Sequence, residues 1–284
     1  MTRGGPGALV PRRPGGAAGV ADLPDPWGGE PYLAMSHGRA HVLQVWTSDA
    51  AVLVHLEDDA RPAGLTGVGD VAGVARQLER AVEEGGVPEG EVQEGEVPAG
   101  APRWATVPRG TWDALGGDAR AAFAGWSAPS AWDCMWTERP LTGVRPHPVE
   151  RLPAGDPAVG EEIAEALARA HPEASTRPDD PRLLGWWVAR EAGRIVALVG
   201  ALRLGSGLAP HLASLGVDPG HRGRGLAGAV LAAAVDDGLA EPVAVGPRAV
   251  WLGLYATNDV ARRVYLRHGF VLGHELESRG RRPR

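Results

Sequence analysis

The spacing of apolar and polar residues changes character near residue 141. Before it, AHVLQVW (40–46) and AVLVHLE (51–57) read as two strands separated by the turn-like Thr47-Ser48-Asp49. Between 70 and 84, Val71, Val74, Ala75 and Leu78 recur at helical spacing. Residues 85–100 repeat a Gly-Glu-Val unit with four Glu and no base, the pattern of an exposed loop. Five of the ten tryptophans follow at 104, 112, 126, 132 and 136. Only Arg109 and Arg120 are interleaved with them, so they read as core aromatics.

Beyond 141, strand and helix alternate cleanly. Residues 155–172 form a helix with Val159, Ile163, Ala166, Leu167 and Ala170 on one face. GWWVARE (185–191) and RIVALVGALRL (194–204) form an antiparallel hairpin across Ala192-Gly193. HLASLGV (211–217) is a strand ended by Asp218-Pro219, and a helix follows over about 223–238. A strand at 249–256, a helix at 259–268 and a strand at 270–276 complete the unit. Strands and helices mix within one stretch of about 140 residues, which defines an α/β (α+β) class. The division expected is a disordered tail at 1–30, rich in Gly, Pro and Arg, a smaller α+β region at 31–140, and a larger domain at 141–284.

Composition narrows the possible functions. The chain has 284 residues and a net charge of −6, which argues against a general nucleic-acid or anionic-membrane binder. Its single cysteine, Cys134, excludes an internal disulfide framework or cysteine-rich metal site and reads as a small core residue. No apolar run reaches the roughly 20 residues of a membrane span, and the N-terminus lacks the apolar stretch of a secretory signal. A cytoplasmic protein is expected, monomeric or homodimeric, with no metal, nucleic-acid or membrane partner. All its basic residues are Arg, as GC-rich coding produces. Against that background the only Asn (Asn258), one of three Tyr (Tyr265) and one of two Phe (Phe270) crowd into thirteen positions.

The most informative segment is Val217-Asp218-Pro219-Gly220-His221-Arg222-Gly223-Arg224-Gly225-Leu226-Ala227. A strand ends, an Arg- and Gly-rich loop follows, and a helix begins. Glycines let the backbone approach a ligand, and the first-turn amides of a helix have no intrahelical partners. With the helix dipole they suit a pyrophosphate, and Arg222 and Arg224 add positive charge. Gly223, Gly225 and Gly228 also spell a dinucleotide fingerprint. That motif should follow the strand at once and be answered by an acidic residue at the end of the next strand. Here five residues intervene, and the next strand ends at Tyr255-Ala256, so the dinucleotide reading is weak.

Arg222-x-x-Gly225-x-Ala227, preceded by Val217-x-Pro219, resembles the acyl-CoA pyrophosphate loop of the GCN5-related N-acetyltransferases. Asn258-Asp259-Val260-Ala261-Arg262-Arg263-Val264-Tyr265-Leu266-Arg267-His268-Gly269-Phe270 resembles that family's N-x-x-A-x-x-x-Y-x-x-x-G-F segment. The two lie one strand apart in the family's order, and the resemblance covers roughly residues 142–280. The C-terminal half also resembles the glycine N-acyltransferase-like branch. Elementary physics supports the second segment independently: Asn258 suits an N-cap, Gly269 a left-handed C-cap, and Ala261, Val264, Tyr265 and His268 share a helical face.

The resemblance implies a mixed sheet flanked by helices, and acetyl-CoA held where strands 211–217 and 249–256 splay apart. Backbone groups of Leu215, Gly216 and Val217, left unpaired by the splay, would meet the pantetheine arm. Amides from Arg222 through Gly223, Arg224, Gly225 and Leu226 to Ala227 would hold the pyrophosphate. Asn258 would contact the cofactor's arm, and Tyr265 would protonate the leaving thiolate. The expected activity is acyl transfer to a primary amine, on a small molecule or a protein. Many members carry a Glu on the first of these strands, and HLASLGV has none. His211, Ser214 through a water, and Tyr255 stay open as bases, as does direct attack by neutral amine. That gap keeps a non-catalytic acyl-CoA-binding module as the alternative. The N-terminal half carries no second such loop. It reads either as a degenerate copy of the same fold or as an acceptor-recognition or dimerisation region.

Overall fold

The computed structural model describes residues 18–58, 61–87 and 98–281. The first seventeen residues of the expected tail and the centre of the Glu-rich loop, 88–97, lie outside the described residues. The first half runs α1 (Pro31–His37), β1 (His41–Thr47), β2 (Ala51–Asp58), β3 (Arg61–Gly69), α2 (Val71–Glu83), β4 (Trp104–Pro108), α3 (Thr111–Ala114), α4 (Gly117–Ala122) and β5 (Ser130–Thr137). The second runs β6 (Glu150–Leu152), α5 (Pro157–Ala170), β7 (Leu183–Glu191), β8 (Arg194–Leu202), β9 (His211–Val217), α6 (Leu226–Ala240), β10 (Val250–Tyr255), α7 (Asp259–His268) and β11 (Val271–Gly280).

Among the described residues, the strands join one 11-stranded sheet in the order β1-β2-β3-β4-β11-β5-β10-β9-β8-β7-β6. The expected boundary near 141 therefore does not separate two sheets. Each half contains a parallel pair joined by a helix (β3–α2–β4 and β9–α6–β10), then short helical structure, then a final strand. The final strands are exchanged. β5 pairs antiparallel with β10, and β11 pairs antiparallel with β4, while β5 and β11 pair with each other at the centre. The order thus reads nearly the same from either side of the β11–β5 pair, with β6 the unmatched strand.

Local chemistry explains the elements. Ala192 and Gly193 both take positive φ (47° and 80°), the two-residue turn that closes β7 on β8. Asp70 and Asp156 cap α2 and α5, accepting from Gly73 N (2.7 Å) and Ala158 N (2.9 Å). β3 was not legible in advance because its RPAGLTGVG reads as a Gly- and Pro-punctuated loop. It is strand because Gly64 leaves room for the Trp104 indole, whose ring would lie 2.1 Å from any added Cβ.

The tail expectation needs correction over 18–30. Val20, Leu23 and Trp27 are buried in one core with Tyr32, Leu33, Val42, Val54 and Cys134. Their apolar area, rather than the surrounding Gly and Pro, decides the outcome. Of the five clustered tryptophans, Trp112 and Trp126 are buried and Trp104, Trp132 and Trp136 are half-buried, and Cys134 is a buried core residue as expected. A second core joins Met135, Leu226, Val230, Leu252, Leu254, Tyr265 and Phe270 beneath α6 and α7.

Candidate acyl-CoA site

The site begins where two parallel strands part. β9 and β10 pair at His211–Trp251 and Leu212–Leu252 and then diverge. On its other side β9 stays paired with β8, but its register slips so that Ser214 and Leu215 together face Val199. Such a bulge bends the strand away from its neighbour. Ser214 adopts a left-handed φ of 56°, rare for a residue with a Cβ, which marks the bend as structurally enforced. Gly216 and Val217 keep register partners on β8, so the predicted freedom of 215–217 holds only on the β10 side. Asp218 N donates to Val196 O (2.9 Å) on the β8 side. Alternation along the strand therefore turns the backbone groups of Val217 into the opening.

The loop after β9 is built to leave amides free. Asp218 accepts from Gly220 N (3.2 Å) and is flanked by Arg194 (3.4 Å) and Arg169 (3.7 Å). Gly223 and Gly225 take φ of 75° and 89°, conformations in which a Cβ is strained. Helix α6 starts at Leu226, three residues later than the pattern suggested, and its N-cap is Gly225. Helices α2, α5 and α7 are capped by Asp70, Asp156 and Asn258, whereas α6 has no side-chain cap. The amides of Leu226 and Ala227 therefore face outward with the positive end of the dipole, as an anion requires.

The two loop arginines differ from one another. Arg222 donates from Nε to Val217 O (3.2 Å) and stays exposed. Arg224 is paired with Glu191 on β7 (2.5 and 3.0 Å), so its charge is already answered. Gly228, the last glycine of the rejected dinucleotide pattern, has a packing role. A Cβ there would lie 2.7 Å from Nε2 of His268, whose Nδ1 is held by Thr142 O at 2.9 Å. Gly228→Ala is accordingly expected to reverse the roughly 1 kcal/mol that alanine normally adds to a helix and to destabilise by about 1–3 kcal/mol in urea unfolding. An unchanged or raised midpoint would show that α6 and α7 are not packed this closely.

Helix α7 supplies the other wall. Asn258 Oδ1 accepts from Ala261 N (3.1 Å), which leaves its NH2 group for other partners. Gly269 is left-handed (φ 108°), with Phe270 N on Tyr265 O (3.1 Å) and Gly269 N on Leu266 O (3.2 Å). Phe270 turns back so that its ring meets Tyr265 edge-on at 5.4 Å. Tyr265 is 7% exposed, and burial pushes its phenol above the ordinary tyrosine range. Leu215 and Val217 of the splay pack against the same core as Tyr265, which brings the two predicted segments together.

The open candidates for a base fare differently. Tyr255 is 69% exposed. Ser214 Oγ and His211 Nδ1 are buried with no partner among the described residues. His211 packs on Trp251 (ring centroids 4.3 Å), and burial lowers it to about 4. Sequence reasoning missed a charge cluster beside α7, in which fully buried Asp133 on β5 meets Arg109 (2.5 Å) and Arg262. The available signal was a single charge amid the apolar SAWDCMWT. Among the described residues no group of three or more His, Cys, Asp or Glu is placed to hold a metal ion. No helix of the described residues is long and apolar enough to cross a membrane.

A large mixed sheet flanked by helices, opened at one parallel pair beside an uncapped helix start, defines an α/β architecture. Residues 158–270 match the model of the Acetyltransferase (GNAT) family. Solved structures with similarity include a GCN5-related N-acetyltransferase from Kribbella flavida (20% identity, 84% of this chain and 88% of that chain, TM-score 0.46). Another is a GCN5-related N-acetyltransferase from Sphaerobacter thermophilus (19% identity, 82% and 78%, TM-score 0.44). A third is a tandem GNAT protein from the clavulanic acid biosynthesis pathway (17% identity, 85% and 83%, TM-score 0.42). No curated protein matches the sequence. Proteins of the family are generally enzymes that transfer acyl groups from acyl-CoA, commonly acetyl-CoA.

Proposed function

We propose that the protein transfers an acetyl group from acetyl-CoA to a primary amine, carried by a small molecule or a protein. The observation that carries this reading is the splay of β9 from β10 directly beside the uncapped start of α6. The pantetheine arm would lie against Leu215, Gly216 and Val217, with the Val217 amide available to it. The pyrophosphate would take the amides between Arg222 and Ala227, with Arg222 the arginine free to turn towards it. Asn258 would reach the arm through its NH2 group.

The chemistry asks for a proton to be removed from the amine and one to be given to sulfur. The neutral amine's lone pair attacks the thioester carbonyl, and the C–S bond breaks as the tetrahedral intermediate collapses. Tyr265 gives its proton to the departing thiolate, since burial keeps the phenol protonated at neutral pH. Backbone N–H groups at the splay would stabilise the oxyanion. The amine loses its own proton to solvent. With His211 lowered to about 4, no strong base stands on β9, and direct attack by the neutral fraction of the amine is the route supported.

The N-terminal half reads as a degenerate copy that has lost its cofactor site. Its helix α2 begins one residue after β3, and the Asp70 carboxylate fills the position where α6 offers bare amides. An anion is repelled there. The chain is therefore expected to bind one acetyl-CoA, not two, by titration calorimetry. A thermal-shift screen over CoA thioesters and NAD(P) provides the first test, because a ligand at 100 times its Kd stabilises the fold by about 2.7 kcal/mol. Stabilisation by NAD(P) rather than CoA thioesters would remove this reading. Binding without thiol release across a broad amine panel would instead favour a non-catalytic acyl-CoA-binding module, the second reading motivated by the missing carboxylate on β9.

A further inference from the structure

We infer that Asp133, contributed by the N-terminal half, is a positioning residue for the acyl-transfer site, fixing the first turn of α7 through Arg262. The inference rests on the acyltransferase reading above. Asp133 lies mid-strand on β5 with a fully buried side chain, and an ionised carboxylate there is costly unless paired and hydrogen-bonded. Its two oxygens are divided between two arginines, Oδ1 to Arg109 Nη2 (2.5 Å) and Oδ2 to Arg262 Nη2. Directly across the ladder stands Glu275 of β11, and like charges facing each other on neighbouring strands repel. The arginines answer both, since Arg109 also reaches Glu275 (2.9 Å) and Arg262 lies 3.9 Å from it.

These four residues occupy positions that the exchange of final strands relates to one another. Asp133 and Glu275 are on the exchanged strands, Arg109 follows β4, and Arg262 lies on the helix that follows β10. The cluster therefore straddles the centre of the sheet and ties the two halves together. Its consequence for the site lies in the spacing along α7. Arg262, Tyr265 and His268 recur every three residues and form one stripe. His268 is held by Thr142 O and Tyr265 by Phe270, so both of those anchors grip the last two turns. Arg262 grips the first turn, through Asp133 and through Ala256 O (3.4 Å). Removing the Asp133 charge frees the Asn258–Arg262 end of the helix while its C-terminal end stays docked.

The test uses the full chain with Asp133→Asn and, as a milder change, Arg262→Lys, which keeps the charge but loses the fork. Displacement of a site by about 1 Å costs on the order of 100-fold in rate, so amine-dependent thiol release by Asp133→Asn should fall by about 10–100-fold in kcat, more than KM for acetyl-CoA changes. Hydrogen exchange of the 261–264 amides should quicken at least tenfold while the hydrogen-bonded α6 amides keep their protection. Glu162→Gln breaks the Arg190 pair that joins α5 to β7 and should alter neither readout. Wild-type kcat with unchanged α7 protection in Asp133→Asn overturns the inference. So does equal loss of protection in α6 and α7, which signals general destabilisation. If Asp133→Asn yields no folded protein, Arg262→Lys decides by the same two readouts. If the wild type acetylates no amine, the acyltransferase reading falls, while exchange in α7 still decides whether Asp133 pins the helix.

Discussion

Tyr265→Phe is expected to lower amine-dependent release of thiol from acetyl-CoA by about 10²–10⁴-fold, the usual contribution of a placed general acid. The fold should tolerate the change, because phenylalanine keeps the ring that meets Phe270 at 5.4 Å. Cofactor affinity should stay within about threefold, since a group acting only in the transition state is lost from kcat and not from binding. Stopped-flow detection of the free thiol, with calorimetric titration of acetyl-CoA, separates the two quantities. Retained turnover would move the proton transfer to water and leave Tyr265 as packing. Because burial raises the phenol, the wild-type rate should show no falling limb up to about pH 10, tyrosine's ordinary range. It should rise with pH as the neutral fraction of the amine grows.

The second large effect is loss of stability in mild acid. Burial lowers His37 to about 3 and His211 to about 4, both below the unfolded value of 6.5. The unfolded chain therefore binds more protons than the native one as pH falls below 6.5. The stability contributed by keeping these rings neutral is complete above that pH and is lost on the way down. His37 is 3% exposed, stacks on Trp104 at 5.6 Å and meets Tyr32 Oη at 3.4 Å, and neighbouring Arg61 further opposes its charging. Between pH 6.5 and 4 it accounts for about 3 kcal/mol, at 1.36 kcal/mol per pKa unit. Urea midpoints measured across this range should fall in the wild type and fall clearly less in His37→Gln. Parallel curves for the two proteins would assign the acid sensitivity to other groups.

The C-terminal half was legible in the sequence because each of its elements carries its own punctuation. Asn258 begins a helix and Gly269 ends one, and the glycines at 223 and 225 mark a loop where the backbone can approach a ligand. The splay was reached only through family resemblance. It depends on a bulge at Ser214, and neither the serine nor its neighbours signal a left-handed backbone. The N-terminal half was less legible for two reasons. Glycines that serve packing in β3 look like loop glycines, and the apolar residues of 18–30 are too sparse to show a period. Asp133 was missed because a lone acid in a strand has no pattern. Its meaning depends on Arg109 and Arg262, 24 and 129 positions away in the chain.

The exchange of final strands also bears on how the chain is made. A domain at the N-terminus usually completes itself while the remainder is still being synthesised. Here β4 receives its neighbour only when β11, at Val271–Gly280, has left the ribosome. At about 5–20 residues per second, the interval between emergence of β5 and of β11 is on the order of 10 s. Through that interval the edges of β4 and β5 that β11 will join are bare, as is the other edge of β5 until β10 emerges, and bare edges recruit other strands. The nascent first half thus keeps bare strand edges until β11 arrives, and pausing late in translation would lengthen their exposure.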